Sequence, residues 1–335
     1  MNTKKTAATR GSAPVPDLIN RTSGFLDAHC AVSPLPGLAF GCHQPGFRSP
    51  AFPCTIGLLG ISLLLLTAGA MAGEKSGYTL LDPVPTALMR EFNTDRPDKT
   101  ESPYTVDAGH FQFEMDIFTG TRDHDTSGQA DLTRQEYAIA PFNLKVGVLP
   151  SVDVQLVVTP FVHERIKDRA TGAVEEHSGF GDLTARVKVN LWGNDGGATA
   201  LGLMPFVKFP TSQDGLGNGA VEGGMIIAFA ADLPLGFGMG AMSEFDFNQN
   251  ASGQGCHTEF VNSVTLGRGL FGKLAGYVEF FSSVSDESGA DWIGTLDLGL
   301  TYALTKSVQL DVGVALGVTK AADDVNFFTG VSLRF

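Results

Sequence analysis

Five of the seven residues from 95 to 101 carry charge: Asp95, Arg96, Asp98, Lys99 and Glu101. Pro97 and Pro103 keep this stretch extended and outside any regular ladder. A run of this kind can form ion pairs with a complementary set of charges. Such a set follows it: Glu114, Asp116, Lys145, Asp153, Arg186, Lys188, Lys208, Glu279, Asp297, Asp311 and Arg334 stand on the polar faces of segments whose opposite faces are apolar. Facing inward together, charges of both signs would line either a hydrated pore or a closed, salt-bridged interior.

Other chemistries are poorly served. His124, His163, His177 and His257 fall in polar stretches with no nucleophile motif around them, so no catalytic residue is assigned and the chain is not read as an enzyme. Acidic pairs such as Asp123 with Asp125, Glu175 with Glu176, Asp286 with Glu287 and Asp323 with Asp324 could hold divalent cations that bridge lipopolysaccharide. The plainer reading is a hydrophilic rim, and neither a metal nor a cofactor is expected. A formal charge of -13 leaves no basic face for nucleic acid.

The elements that must position these charges are strands. In "VQLDVGVALGV" (308–318) Val308, Leu310, Val312, Val314, Leu316 and Val318 occupy one face, with Gln309, Asp311 and glycines on the other. Residues 152–162, 181–193 and 292–304 alternate in the same way. Period two marks a strand buried on one face. Strands of soluble proteins average five or six residues, whereas a tilted membrane strand needs about nine to eleven. About twelve such segments can be counted, at 109–119, 135–149, 152–166, 181–193, 198–211, 222–233, 236–248, 257–268, 273–285, 292–304, 307–319 and 326–335, an even number as bacterial outer-membrane barrels have.

Their connections alternate long and short, beginning with a long one at 120–134 and then the two residues 150–151. Short periplasmic turns and long external loops produce this phase. The expected fold is therefore all-β, a transmembrane up-and-down antiparallel β-barrel of 109–335 in the outer membrane. Residues 73–108 form an N-terminal periplasmic or plug segment, of which 94–105 enters the lumen; the plainer alternative is a disordered tail. Aromatic candidates for the lumen or rim are Phe118, Phe161, Trp192, Phe206, Tyr277 and Phe281.

Ahead of the barrel lies "CTIGLLGISLLLLTAGAMAGEKSG" (54–77), whose apolar run ends in Ala70-Met71-Ala72. The run has signal-peptide length and a small-x-small cleavage pattern, so 1–72 is read as a leader extension plus signal peptide, cleaved after Ala72 on export. Its removal would take five of 23 basic and two of 36 acidic residues, and three of four cysteines. Cys256 would then be left without an intramolecular disulfide partner.

The C-terminal "GVSLRF", with Gly330, Leu333 and Phe335, resembles the signal by which the barrel-assembly machinery recognises its clients. Phe328 stands where that pattern expects a polar residue. The block "TDRPDKTES" (94–102) followed by Gly109-x-x-Gln112-x-Glu114 resembles the start of an outer-membrane family linked to transport in the MetA pathway of phenol degradation. "FNLKVGVLPSVDVQLVV" (142–158), "GFGDLTARVKVNL" (179–191), "PFVKFPTS" with "GLGNG" (205–219) and "YVEFF" (277–281) extend the resemblance in order over 94–335. It implies an outer-membrane barrel with a role in the uptake of small molecules, associated with aromatic compounds. The expected partners are outer-membrane lipid and lipopolysaccharide, the assembly machinery and a small-molecule solute. A non-conducting structural or adhesive barrel, acting through its external loops, is the alternative.

Overall fold

Alternation with period two gives each strand an apolar and a polar face, and closing such strands into a cylinder hides the polar faces from lipid and leaves no edge. The computed structural model describes residues 75–126 and 131–335. The leader, its apolar run and the cleavage position after Ala72 lie outside the described residues.

Fifteen strand segments form one antiparallel sheet: β1 (Phe111–Asp125), β2 (Leu132–Ile139), β3 (Phe142–Leu149), β4 (Val152–Val158), β5 (Phe161–Asp168), β6 (Val174–Gly179), β7 (Leu183–Trp192), β8 (Thr199–Phe209), β9 (Glu222–Leu233), β10 (Phe237–Gln249), β11 (Cys256–Phe271), β12 (Leu274–Ser285), β13 (Ile293–Thr305), β14 (Val308–Gly317) and β15 (Val325–Arg334). The sheet closes where β1 pairs with β15, from Gln112 opposite Arg334 to Arg122 opposite Val325. The wall has twelve strands, because β2–β3, β4–β5 and β6–β7 are each one strand interrupted once.

These interruptions correct three of the sequence boundaries. Pro141 and Pro160 bring no N–H to the ladder, and Ala140 before Pro141 has φ +56°. The third break falls at 180–182. Below the breaks β3, β4 and β7 pair with one another, and above them β2, β5 and β6 do so. β1 spans both levels, pairing with β3 over Phe111–Met115 and with β2 over Phe118–Asp125. The polar β6, "VEEHSG", lies in what the sequence suggested was a loop. Its residues alternate between exposed and half-buried, and none is fully buried. β1 runs on to Asp125, which shortens the first long connection, and β6 cuts the second to 169–173, no longer than the turn at 193–198; from β8 onward the long–short phase holds.

Outside, Val264, Phe280, Leu296, Leu298, Val312 and Phe327 are exposed and form part of the apolar band. Leu298 lies mid-strand between Val278 and Val314. An arginine there is expected to destabilise the barrel in lipid by about 2–4 kcal/mol, the cost of a cation at the bilayer midplane. Urea unfolding in lipid vesicles measures this, and an unchanged midpoint would contradict the assignment of that face to lipid.

Cys256, at the start of β11, is disulfide-bonded. Cys256 is the one cysteine among the described residues. The expectation of a chain without a disulfide assumed that the leader had already been lost.

Candidate functional site

Residues 94–105 form an extended strap inside the barrel. Prolines 97 and 103 leave its backbone N–H and C=O groups without a ladder of their own, so wall side chains must satisfy them. The Glu114 carboxylate of β1 accepts the N–H of Asp95 at 3.1 Å and that of Arg96 at 3.0 Å. Glu279 of β12 accepts those of Lys99 at 2.9 Å and Thr100 at 2.8 Å. Asn190 of β7 donates to the Pro103 carbonyl at 2.9 Å, and Asp153 of β4 accepts the Val106 N–H at 3.0 Å. Three strands thus fix the strap's backbone, and a fourth holds the residue that follows it.

Its side chains complete the attachment. Lys188 Nζ donates to both oxygens of Asp95, at 2.6 and 2.8 Å, and Lys145 donates to Asp95 and to Glu114. Arg96 lies between two strands: Nη2 is 2.6 Å and Nε 3.3 Å from the Asp311 carboxylate, and Nη1 is 2.7 Å from Asp116 Oδ1. The Asp116 contact is close enough for an ion pair but lacks hydrogen-bond alignment, since the same oxygen has no hydrogen-bond partner. Lys99 Nζ reaches Asp297 at 3.1 Å and the Thr295 hydroxyl at 3.0 Å, and lies 4.6 Å above the Phe281 ring. Arg186 donates to Glu101 at 2.6 Å. Asp98 faces Thr265 and Glu279.

Of the wall charges singled out in the sequence, Glu114, Asp116, Lys145, Arg186, Lys188, Glu279, Asp297 and Asp311 therefore meet the strap. Asp153 meets the residue just beyond it. Two stand apart. Lys208 pairs with Glu222 at 2.5 Å, and Arg334 lies at the periplasmic end, donating to the Arg90 carbonyl at 2.8 Å and lying 5.3 Å above the Phe92 ring.

The segment below the strap is tied to the periplasmic turns. Arg90 Nε donates to Asp195 at 2.8 Å, and Lys75 Nζ lies 2.7 Å from the same carboxylate. Burial pushes the Asp195 carboxyl up, but hydrogen bonds from Arg90 and Lys75 outweigh it and hold the group below the ordinary aspartate range.

Sequence reading missed two features. The first is a set of inward glycines that make room for the strap. A Cβ on Gly330 would strike the Arg96 guanidinium and the Met115 carbonyl, and one on Gly147 would strike the backbone at Asp107. Gly330→Val is expected to push Arg96 off its carboxylates and disturb the β1–β15 seam, which would show as faster protease cleavage of residues 94–105 and a lower folded yield. Cleavage at the wild-type rate would argue against this close fit. The second is an apolar inner wall. Met204, Phe206, Ile226, Met242, Val261 and Phe281, from five neighbouring strands, pack together inside the barrel. Here β9 is apolar on both faces, and alternation gives no warning of that.

Among the six aromatic candidates, Phe206 and Phe281 belong to this wall, and Tyr277 lies inside against Gly299 and Gly313. Phe118, Phe161 and Trp192 are exposed on the outer surface. Phe118 is outside because the β1 register shifts between Asp116 and Phe118, so that Ile117 and Phe118 are both exposed. The lining residues of one cavity of about 220 Å³ are drawn from the strap, the apolar wall and the outer part of the lumen.

Among the described residues, no three His, Cys, Asp or Glu side chains converge in a metal-binding group. His124 pairs with Asp131 at 2.7 Å, and His177 bonds the Asp214 carbonyl at 2.7 Å.

Solved barrels share the architecture at low identity. An outer-membrane channel of Pseudomonas putida F1 superposes with TM-score 0.50 and 13% identity over 72% of this chain and 100% of that one. The NanC porin gives 0.42 and 11% over 65% and 98%. The TodX monoaromatic hydrocarbon channel gives 0.35 and 8% over 67% and 89%. No curated protein matches the sequence. The family model described as "Putative MetA-pathway of phenol degradation" matches residues 94–335, from the first residue of the strap to the last of the barrel, and the chain belongs to that family of outer-membrane β-barrels.

Proposed function

We propose that the barrel is a channel for passive uptake of small hydrophobic or aromatic solutes, with the strap as its gate. The observation that carries this reading is the division of the lumen. A barrel for hydrophilic solutes is polar inside. Here Ile226, Met242, Val261 and Phe281 form an apolar wall that shares one cavity with a charged strap. The apolar side offers a solute the contacts it leaves behind in lipid or a neighbouring molecule, and the strap limits what passes on toward the periplasm. Asp95, Arg96, Asp98, Lys99 and Glu101 are the gate residues of this proposal.

The firm attachment of the strap also favours a second reading, a closed barrel that conducts nothing and acts through its external loops. Planar-bilayer conductance and liposome flux separate the two. The full chain should pass little ion current yet admit an apolar solute, and the triple variant Asp95→Asn, Arg96→Gln, Asp98→Asn should raise the current. No current and no flux in either form would remove the channel reading.

The remaining sequence expectations fit this placement in the outer membrane. Export would follow cleavage after Ala72, which N-terminal sequencing of the membrane-inserted protein tests. Gly330, Leu333 and Phe335 would serve the assembly machinery. Phe335 is 67% exposed, so its ring contributes little to the finished barrel. Phe335→Ala is therefore expected to lower the amount inserted in cells several-fold while leaving the unfolding midpoint of the inserted protein near wild type. An unchanged yield would count against an assembly role.

A further inference from the structure

The outer face of the wall carries a charge pattern that the lumen does not explain. Among the described residues, the cations of β7–β15 are Arg186, Lys188 and Lys208, which pair inside, and Arg268 and Arg334 at the periplasmic end. None of them faces lipid in the outer half of the barrel. On β1, β2 and β5 the pattern is different.

A tilted strand crosses the apolar layer in about nine to eleven residues, so on β1, which starts at Phe111, that layer ends near Gly120. The next outward residue is Arg122, and it is exposed. Gln135 of β2 stands opposite Arg122, and Arg165 of β5 stands opposite Gln135. The two arginines are therefore about 10 Å apart at the backbone, two strand spacings. Lys167, the next outward residue of β5, is exposed as well.

An aromatic group lies directly below these cations. The Tyr137 ring stands between those of Phe118 and Phe161, at 6.4 and 6.2 Å, and is 5.0 Å from that of His163. Such rings mark the headgroup level of a bilayer. The nearby acids do not neutralise the patch. Glu176 bonds Arg165 at 3.0 Å, but both are exposed and the pair is worth little. Asp131 is taken by His124 at 2.7 Å, and Asp168 by the Thr171 hydroxyl of its own turn at 2.6 Å. On a chain of formal charge -13, the outward cations of the wall's outer half are thus gathered at one place and one height.

We propose that this face of β1, β2 and β5 holds one lipopolysaccharide molecule in a fixed position, with Arg122, Arg165 and Lys167 contacting a phosphate of its lipid A headgroup and the aromatic group beneath meeting its acyl chains. Lipid A carries phosphate at the border between acyl chains and water, which is the height of these side chains. The contact is direct, unlike the cation bridges that acidic rims can form, and it is independent of what the lumen conducts.

The test titrates the full chain, in zwitterionic detergent micelles, with bisphosphorylated lipid A and with the same lipid stripped of phosphate, and counts bound copies by native mass spectrometry. One copy of bisphosphorylated lipid A is expected to saturate the wild type, and the phosphate-free lipid should bind at least about tenfold more weakly. Each cation near an anionic lipid surface contributes about fivefold. The triple variant Arg122→Gln, Arg165→Gln, Lys167→Gln should therefore lose at least about tenfold in affinity, allowing for incomplete additivity. Arg268→Gln, at the periplasmic end, should bind as the wild type does, and chelation of divalent cations should change nothing. The two lipids on the wild type decide the matter if the triple variant fails to fold. No saturating copy, equal binding of the two lipids, an unaffected triple variant, an equal loss in Arg268→Gln, or release of the lipid on chelation would each overturn the proposal.

Discussion

Asp95→Asn is expected to release one end of the strap and to raise the conductance of the barrel. Asp95 is 8% exposed, and the two lysines that it joins, Lys145 and Lys188, are 2% and 1% exposed. Both hydrogen bonds of Lys188 go to Asp95, whereas Lys145 keeps Glu114 when Asp95 is neutralised. Asparagine can still accept one bond but brings no charge, so the buried Lys188 ammonium loses the carboxylate that it bonds and keeps only the neighbouring Asp153 as an acid beside it. Breaking a buried pair in this way costs about 3–5 kcal/mol. That shifts the balance between seated and released strap by roughly two to three and a half orders of magnitude. Two measurements read the release: protease cleavage within 94–105 and single-channel current. Adding Lys188→Met removes the stranded charge together with its partner and should restore much of the seating, since replacing both members of a buried pair by apolar groups is often neutral. An Asp95→Asn barrel as closed and as protease-resistant as the wild type would end the idea that this pair holds the strap.

The barrel was legible because its cause is local. Wherever one face meets lipid the period is two, and Val308 to Val318 show it without any knowledge of their neighbours. Features set by long-range pairing were not legible. That Arg96 would lie between β1 and β14 depends on the closing pair of β1 with β15, which brings Asp116 and Asp311 to the two sides of Gly330. A one-residue irregularity at Ile117 sufficed to put Phe118 on the outside. Inner apolar residues such as Ile226 were hidden for a different reason. Assigning faces by polarity assumes a polar interior, and in "MIIAF" (225–229) neither face is polar. The charged strap residues could be recognised as ion-pairing groups, but their partners could be named only as a set.

Arg96→Met should have an effect of comparable size at the middle of the strap, and its partners make it separable from the first. Among the described residues, the guanidinium is the cation that pairs with Asp116 and Asp311, one on each side of the β1–β15 seam. Without it, two buried carboxylates face one another with no cation between them, and like-charge repulsion adds to the lost pairing. Asp311→Asn alone is milder, because Arg96 keeps Asp116. In a double-mutant cycle on strap release, Arg96→Met and Asp311→Asn should couple by about 1–3 kcal/mol, as residues sharing one ion network do. Asp95→Asn with Asp311→Asn should couple less, since these two carboxylates bond different cations. Protease cleavage within 94–105, measured at equilibrium between seated and released forms, supplies the free energies. Full additivity of Arg96→Met with Asp311→Asn would mean that the strap is held there by shape, through the space left at Gly330, and not by charge.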